Sequence, residues 1–119
     1  MKRPPPATPE RWSADSGHRD VVRLDIPAAA LRERRFEIFV RLVVANKAHR
    51  NDATHALRVL VDGALEWSRS AATHVDGSDS LDLRLHRCVP PGRPLRLSAS
   101  CELHGAQRLR LSIDAEEEG

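Results

Sequence analysis

The densest set of metal-capable side chains in this 119-residue chain is the run His74-Val-Asp-Gly-Ser-Asp-Ser-Leu-Asp82. Asp76, Asp79 and Asp82 stand in a Gly/Ser loop, and carboxylate and carbonyl oxygens are the ligands a calcium ion takes. Their spacing departs from an EF-hand loop, which needs acidic groups at alternate positions and a later Glu. Asp-Gly and Asp-Ser are also ordinary turn formers. Asp76, Asp79 and Asp82 are thus the candidate metal ligands, with calcium as the ion and a solvated turn as the competing explanation. No other cofactor is expected.

The six histidines are His18, His49, His55, His74, His86 and His104. None makes a His-x-x-x-His helix pair or a Cys/His zinc spacing, and surface positions in or beside loops are expected for them. The segment His49-Arg-Asn-Asp-Ala-Thr-His55 is placed to approach other loops at one end of a domain. Nucleophilic catalysis needs a Ser or Cys held by a base; no Gly-x-Ser-x-Gly occurs, and Cys101 falls in a core-facing phase where a thiol is inert. The carboxylates spread over turns and wet strand faces, whereas acid–base work needs them in a cleft. No Gly-rich phosphate loop is present. The pattern points away from an enzyme.

With 19 basic and 17 acidic residues the net charge is +2, too balanced for a dedicated nucleic-acid or membrane-surface binder. Neither nucleic acid nor membrane is therefore expected as a partner. Two Trp, two Phe and no Tyr leave few platforms for stacking bases or sugars. Cys88 lies out of phase with Leu81, Leu83 and Leu85, and nothing brings it near Cys101. Two free thiols suit a reducing compartment, so a cytoplasmic location is expected. No stretch has the make-up of a signal sequence or a membrane span.

The elements that must position these groups are strands. Leu95, Leu97, Ala99, Cys101 and Leu103 alternate with polar residues, as do Leu109, Leu111, Ile113 and Ala115; a period of two puts each set on one strand face. A three-residue loop at His104-Gly105-Ala106 would pair the two segments as a hairpin. It would set Cys101 against Leu109, Ala99 against Leu111 and Leu97 against Ile113, with Glu102–Arg108 and Arg96–Asp114 on the wet face. The run at 20–26 alternates. Residues 36–45 make a long strand. A hairpin around Asp62-Gly63-Ala64 would pair Val61 with Leu65 and Val59 with Trp67. Residues 81–86 make a further strand. Pro27 to Arg35 has the residues of one or two helical turns. Residues 1–18, rich in proline and poor in apolar groups, read as a disordered tail preceding a domain over 19–119. Trp12 is the exception within that tail.

The expected fold is therefore all-β: an antiparallel β-sandwich of about seven to eight short strands, immunoglobulin-like or jelly-roll-like. Trp67 and core-facing Cys101 resemble an immunoglobulin-like sandwich, but the long strand 36–45 lacks the cysteine that would complete its disulfide. One further set is informative. Phe39, Val43 and Ala45 lie opposite the main dry face of their strand, and Leu60 is out of phase on the next one. A two-sided apolar strand is covered by its own chain, for which 28–31 and the tail are candidates, or it lies in an interface. The expected role is that of a non-catalytic protein acting through a protein–protein surface at Phe39, Val43, Ala45 and Leu60, as an accessory subunit, an assembly module or a self-associating homo-oligomer. A calcium-assisted carbohydrate binder using the loops at 48–55 and 74–80 is the alternative, and a small metal-dependent enzyme a third.

Overall fold

A computed structural model describes residues 8–118. Eight strands account for the regular structure: β1 Arg11–Asp15, β2 Val21–Ile26, β3 Arg34–Ala45, β4 Thr54–Val61, β5 Ala64–Ala72, β6 Ser78–Val89, β7 Leu95–His104 and β8 Gln107–Glu117. They form two four-stranded antiparallel sheets, β1-β8-β3-β6 (sheet A) and β2-β7-β4-β5 (sheet B). Every connection except β4–β5 crosses from one sheet to the other. This is the double-Greek-key path of a jelly roll, which decides between the two sandwich types the sequence allows.

β3 is the spine of sheet A. Its β-branched and aromatic residues favour extended backbone, and it is hydrogen-bonded along its length by β6 on one side and β8 on the other. Phe36, Ile38, Val40, Leu42 and Val44 are fully buried. Across the sandwich they meet Leu57 and Val59 of β4 and Leu95, Leu97 and Ala99 of β7, all buried.

The terminal segments are strands with the expected dry faces, but they are not a hairpin. β7 belongs to sheet B and β8 to sheet A. Leu97, Ala99, Leu111 and Ile113 are buried in one core, yet they face one another across it. β7 pairs instead with β2, Leu97 beside Leu24, and with β4, Ala99 beside Val59. Two strands with complementary dry faces can satisfy them side by side or face to face, and alternation does not distinguish the two. A bulge in the β3–β8 ladder at Val43/Val44 leaves Leu109 without a partner on β3; it is exposed rather than buried.

The β4–β5 turn keeps Val59 opposite Trp67, but Leu60 meets Leu65 and Val61 meets Ala64. Asp62 and Gly63 both have positive φ, 50° and 82°, the signature of a two-residue hairpin turn whose twist matches its strands. The extra residue that this tighter turn requires is taken up at Glu66 as a bulge.

Two expectations are corrected near the N-terminus. Residues 11–15, read as tail, form β1 on the free edge of β8, with Trp12 opposite Ala115 and Ala14 opposite Ile113. Residues 1–7 of that tail, and Gly119, lie outside the described residues. Residues 27–33 are irregular and not helical. Leu31 is almost wholly exposed, so a helix there would have no apolar stripe to bury, and none of residues 27–33 lines the groove beside Phe39. It is pinned instead by polar contacts. Buried Arg34 donates to Glu10 Oε1 (2.9 Å) and to the Pro27 carbonyl (2.8 Å). Arg32 pairs with both Glu10 and Glu117, and the Glu10 amide donates to Glu117 Oε1 at 3.0 Å. The Arg32 guanidinium holds the Glu117 carboxyl below the usual carboxylate range.

Candidate functional site

The outer face of sheet A gathers polar, charged and aromatic side chains from all four of its strands. Strand pairing places Ser13, Asp114, Phe39 and Arg84 in one row across β1-β8-β3-β6. The next row holds Arg11, Glu116, Glu37 and His86. Residues paired in antiparallel strands share a face, so all eight lie outward. Between them is a shallow, open groove of about 470 Å³. Phe39 is half-buried in it, its ring covered by the Arg84 guanidinium at 5.2 Å from the centroid. Cross-strand ion pairs lace the face: Arg11–Glu116 at 2.9 Å, Arg84–Glu37 at 3.3 Å, Arg41–Asp82 at 3.5 Å and Arg110–Asp15 at 3.5 Å. Both signs of charge therefore ring one apolar centre.

The predicted interface residues divide between the two sheets. Phe39, Val43 and Ala45 are half-buried along the outer face of β3. Leu60 is half-buried on β4, in sheet B, beside Leu65 of β5 and Ser98 of β7. It therefore belongs to the opposite outer surface of the sandwich. The signal that missed this is again parity, which assigns a face of a strand without naming the sheet.

The candidate calcium ligands take separate partners. Asp76 sits 2.9 Å from His49 Nδ1, Asp79 accepts from the Ser80 amide at 2.9 Å, and Asp82 pairs with Arg41 on the outer face of β6. The loops at 48–55 and 74–80 do meet at one end of the sandwich, as His49 reaching the Val75 carbonyl (3.2 Å) shows. Among the described residues the group whose ligand atoms converge is a different one: Glu37, His86 and Glu118, within 4.8 Å of one another. A histidine with two carboxylates is a donor set for zinc or manganese. Here Glu37 is engaged by Arg84 and Glu118 by His86.

Sequence spacing did not single out His55, which is fully buried rather than on the surface. Its Nδ1 lies 2.7 Å from Thr73 Oγ1, and its Nε2 has no partner. Burial, against the pull of Asp79 and with the push of His74, lowers its pKa. The pair is enclosed, so it offers no hydroxyl to a substrate. The two thiols are free. Burial, aided by the Asp20 carboxylate, pushes Cys101 up to about 11. Hydrogen bonding to Glu33 raises exposed Cys88. Neither is activated as a nucleophile.

No protein-family model matches the chain, and no curated protein matches it. Among solved structures it is similar to dimeric latent PorU from Porphyromonas gingivalis, at 14% identity and TM-score 0.55 over 92% of this chain and 12% of that one. The chain thus corresponds to a small part of that protein's length. A family 35 carbohydrate-binding module from Clostridium thermocellum aligns over 92% of this chain and 98% of its own, at 9% identity and TM-score 0.46. Eiger TNF from S. frugiperda aligns over 92% of each chain, at 8% identity and TM-score 0.45. At these identities the likeness is one of fold, and fold alone does not fix function. The chain is a jelly-roll β-sandwich.

Proposed function

We propose that this protein is a non-catalytic binding module that engages a protein partner through the outer face of sheet A. The observation that carries the reading is the composition of that face: a half-buried Phe39 ringed by Arg11, Glu37, Arg84, Asp114 and Glu116 on four strands. An apolar centre with a polar rim of both charge signs is the anatomy of a protein contact. The stacking of Arg84 on Phe39 favours a protein over a sugar, because the ring face that a pyranose would use already has an occupant. The raised thiols and the enclosed histidine support binding over catalysis.

The test is crosslinking mass spectrometry in extracts of the source cells, comparing wild type with Phe39→Glu. The expected outcome is a partner crosslinked to residues 11–13, 37–41 and 110–116, and lost in a Phe39→Glu variant whose circular dichroism is unchanged. Crosslinks confined to other surfaces would overturn the reading. Binding to a glycan array that is abolished by Phe39→Ala would replace protein with carbohydrate as the ligand.

A further inference from the structure

The two sides of the sandwich have unequal edges. One side ends in β1 and β2, of 5 and 6 residues; the other ends in β5 and β6, of 9 and 12. A free edge offers unpaired amides and carbonyls to any strand that can lie beside it, and proteins blunt such edges with bulges, Lys or Pro. β5 is interrupted by its bulge at Glu66. β6 has no bulge, Lys or Pro and pairs with β3 along its whole length without a register shift; its only guards are the charges Asp79, Asp82, Arg84 and Arg87, which come in both signs.

The sequence of β6 is complementary to itself about Leu83. Outward from that residue the pairs are Asp82 and Arg84, Leu81 and Leu85, Ser80 and His86, then Asp79 and Arg87. In an antiparallel pair related by a two-fold axis through Leu83, these are the residues that stand opposite one another, and their equal parity puts each pair on one face. Leu81 and Leu85 are buried, and Leu83, on the same face, is half-exposed at the open edge. A second copy would cover it with its own Leu83. By exchange with their present partners within the chain, Arg41 for Asp82 and Glu37 for Arg84, the flanking outer positions would form two Asp82–Arg84 pairs, and Asp79 with Arg87, which now meets Glu66, would form two more. Opposite charges across strands are stabilising, and an isologous contact needs this kind of self-complementarity.

We propose that two copies of the chain associate through β6, antiparallel about a two-fold axis at Leu83, so that two four-stranded sheets become one of eight. The occupant of this edge is a second copy rather than a foreign strand, because the charge and apolar pattern of β6 is matched by β6 itself. The contact runs along the sheet edge and shares Arg84 with the outer face around Phe39; Phe39→Glu and Leu83→Cys, each confined to one of the two surfaces, keep its failure distinct from failure of the function proposed above.

Sedimentation equilibrium on the whole chain tests it. Wild type is expected to reach the mass of a dimer. Asp82→Arg, which sets a second arginine opposite Arg84 on both sides of the axis, is expected to weaken the dimer by about tenfold or more. The double exchange Asp82→Arg with Arg84→Asp is expected to restore it. Phe39→Glu, off the edge, is expected to keep the dimer mass. Independently of these, Leu83→Cys in a Cys88→Ser background is expected to form a disulfide-linked dimer on mild oxidation, since the two sulfurs meet on the axis. A wild type that stays monomeric at its highest soluble concentration overturns the proposal. So does a dimer indifferent to Asp82→Arg, or a Leu83→Cys variant that folds and does not crosslink.

Discussion

His55 shows how much one buried side chain can carry. It lies at the start of β4, fully buried, with one ring nitrogen on Thr73 and the other without a hydrogen-bond partner. Protonation would place a charge where water is absent, so the folded state holds the neutral form and lowers the pKa. In the unfolded chain the histidine titrates near the ordinary value of about 6.5. Below that pH the unfolded state binds the extra proton first. Stability contributed by neutral His55 is therefore complete above about pH 6.5 and declines as pH falls below it toward the folded-state pKa. Melting temperatures measured from about pH 7.5 down to about pH 5, a window that includes the onset of this decline, should fall for wild type and fall less steeply for His55→Leu, whatever the absolute stability of the variant. Equal slopes would show that His55 is not the titrating group. Parity was the one signal in the sequence: His55 is in phase with Leu57, Val59 and Val61, the buried face of β4. A histidine flanked by Thr54 and Ala56 reads as a loop-end residue, and its burial is decided by Thr73, on a segment 18 residues away.

At the scale of elements, the sequence made the strands and their faces legible, and the pairing was not. Phe36 to Val44, Leu81 to Leu85 and Leu95 to Leu103 all alternate because each has one face in the core. The same alternation suits a neighbour beside the strand or a sheet across from it, which is why β7 and β8 read as a hairpin and are opposite layers. The outer face of sheet A was half-legible for the same reason: Phe39, Val43 and Ala45 could be placed on one face of β3, whereas Arg11, Asp114 and Glu116 join them only through strand order. β1 was hidden because a short segment close to a run of prolines has little apolar pattern of its own and depends on β8 for a ladder. The bulge in β8 gives a sharp test. Leu111 is fully buried and Leu109 is about half exposed. Leu111→Ala should cost roughly 2–5 kcal/mol, as a core truncation does. Leu109→Ala should stay within about 0.5 kcal/mol, as surface substitutions do. Urea denaturation measures both, and similar costs would mean that the two leucines share a face after all.

For the whole molecule the governing fact is that contacts are long-range. Every connection but one jumps between layers, and both sheets are assembled from strands distant in sequence. Folds of this kind are slow to form, because loop-closure entropy is lost before the non-local contacts compensate it. They are also all-or-nothing. Each sheet A strand other than β6 has β8 as a neighbour, so a chain ending at Gly105 would leave β1 with no partner and β3 with one. Such a chain should show no cooperative thermal transition by circular dichroism, and a sharp transition would mean that sheet A can close without its second strand. The pairing of β1 with β8 has a further consequence in time. On a ribosome β1 emerges before the edge it must dock on, which follows about a hundred residues later. At ordinary rates of synthesis that is an interval of the order of ten seconds. Through that interval Trp12 and Ala14 have no ladder to join, and β3, the most apolar segment, is without one of its two flanks. Until β8 has been made, a nascent chain therefore carries apolar strand surface that its own sheet A cannot yet cover.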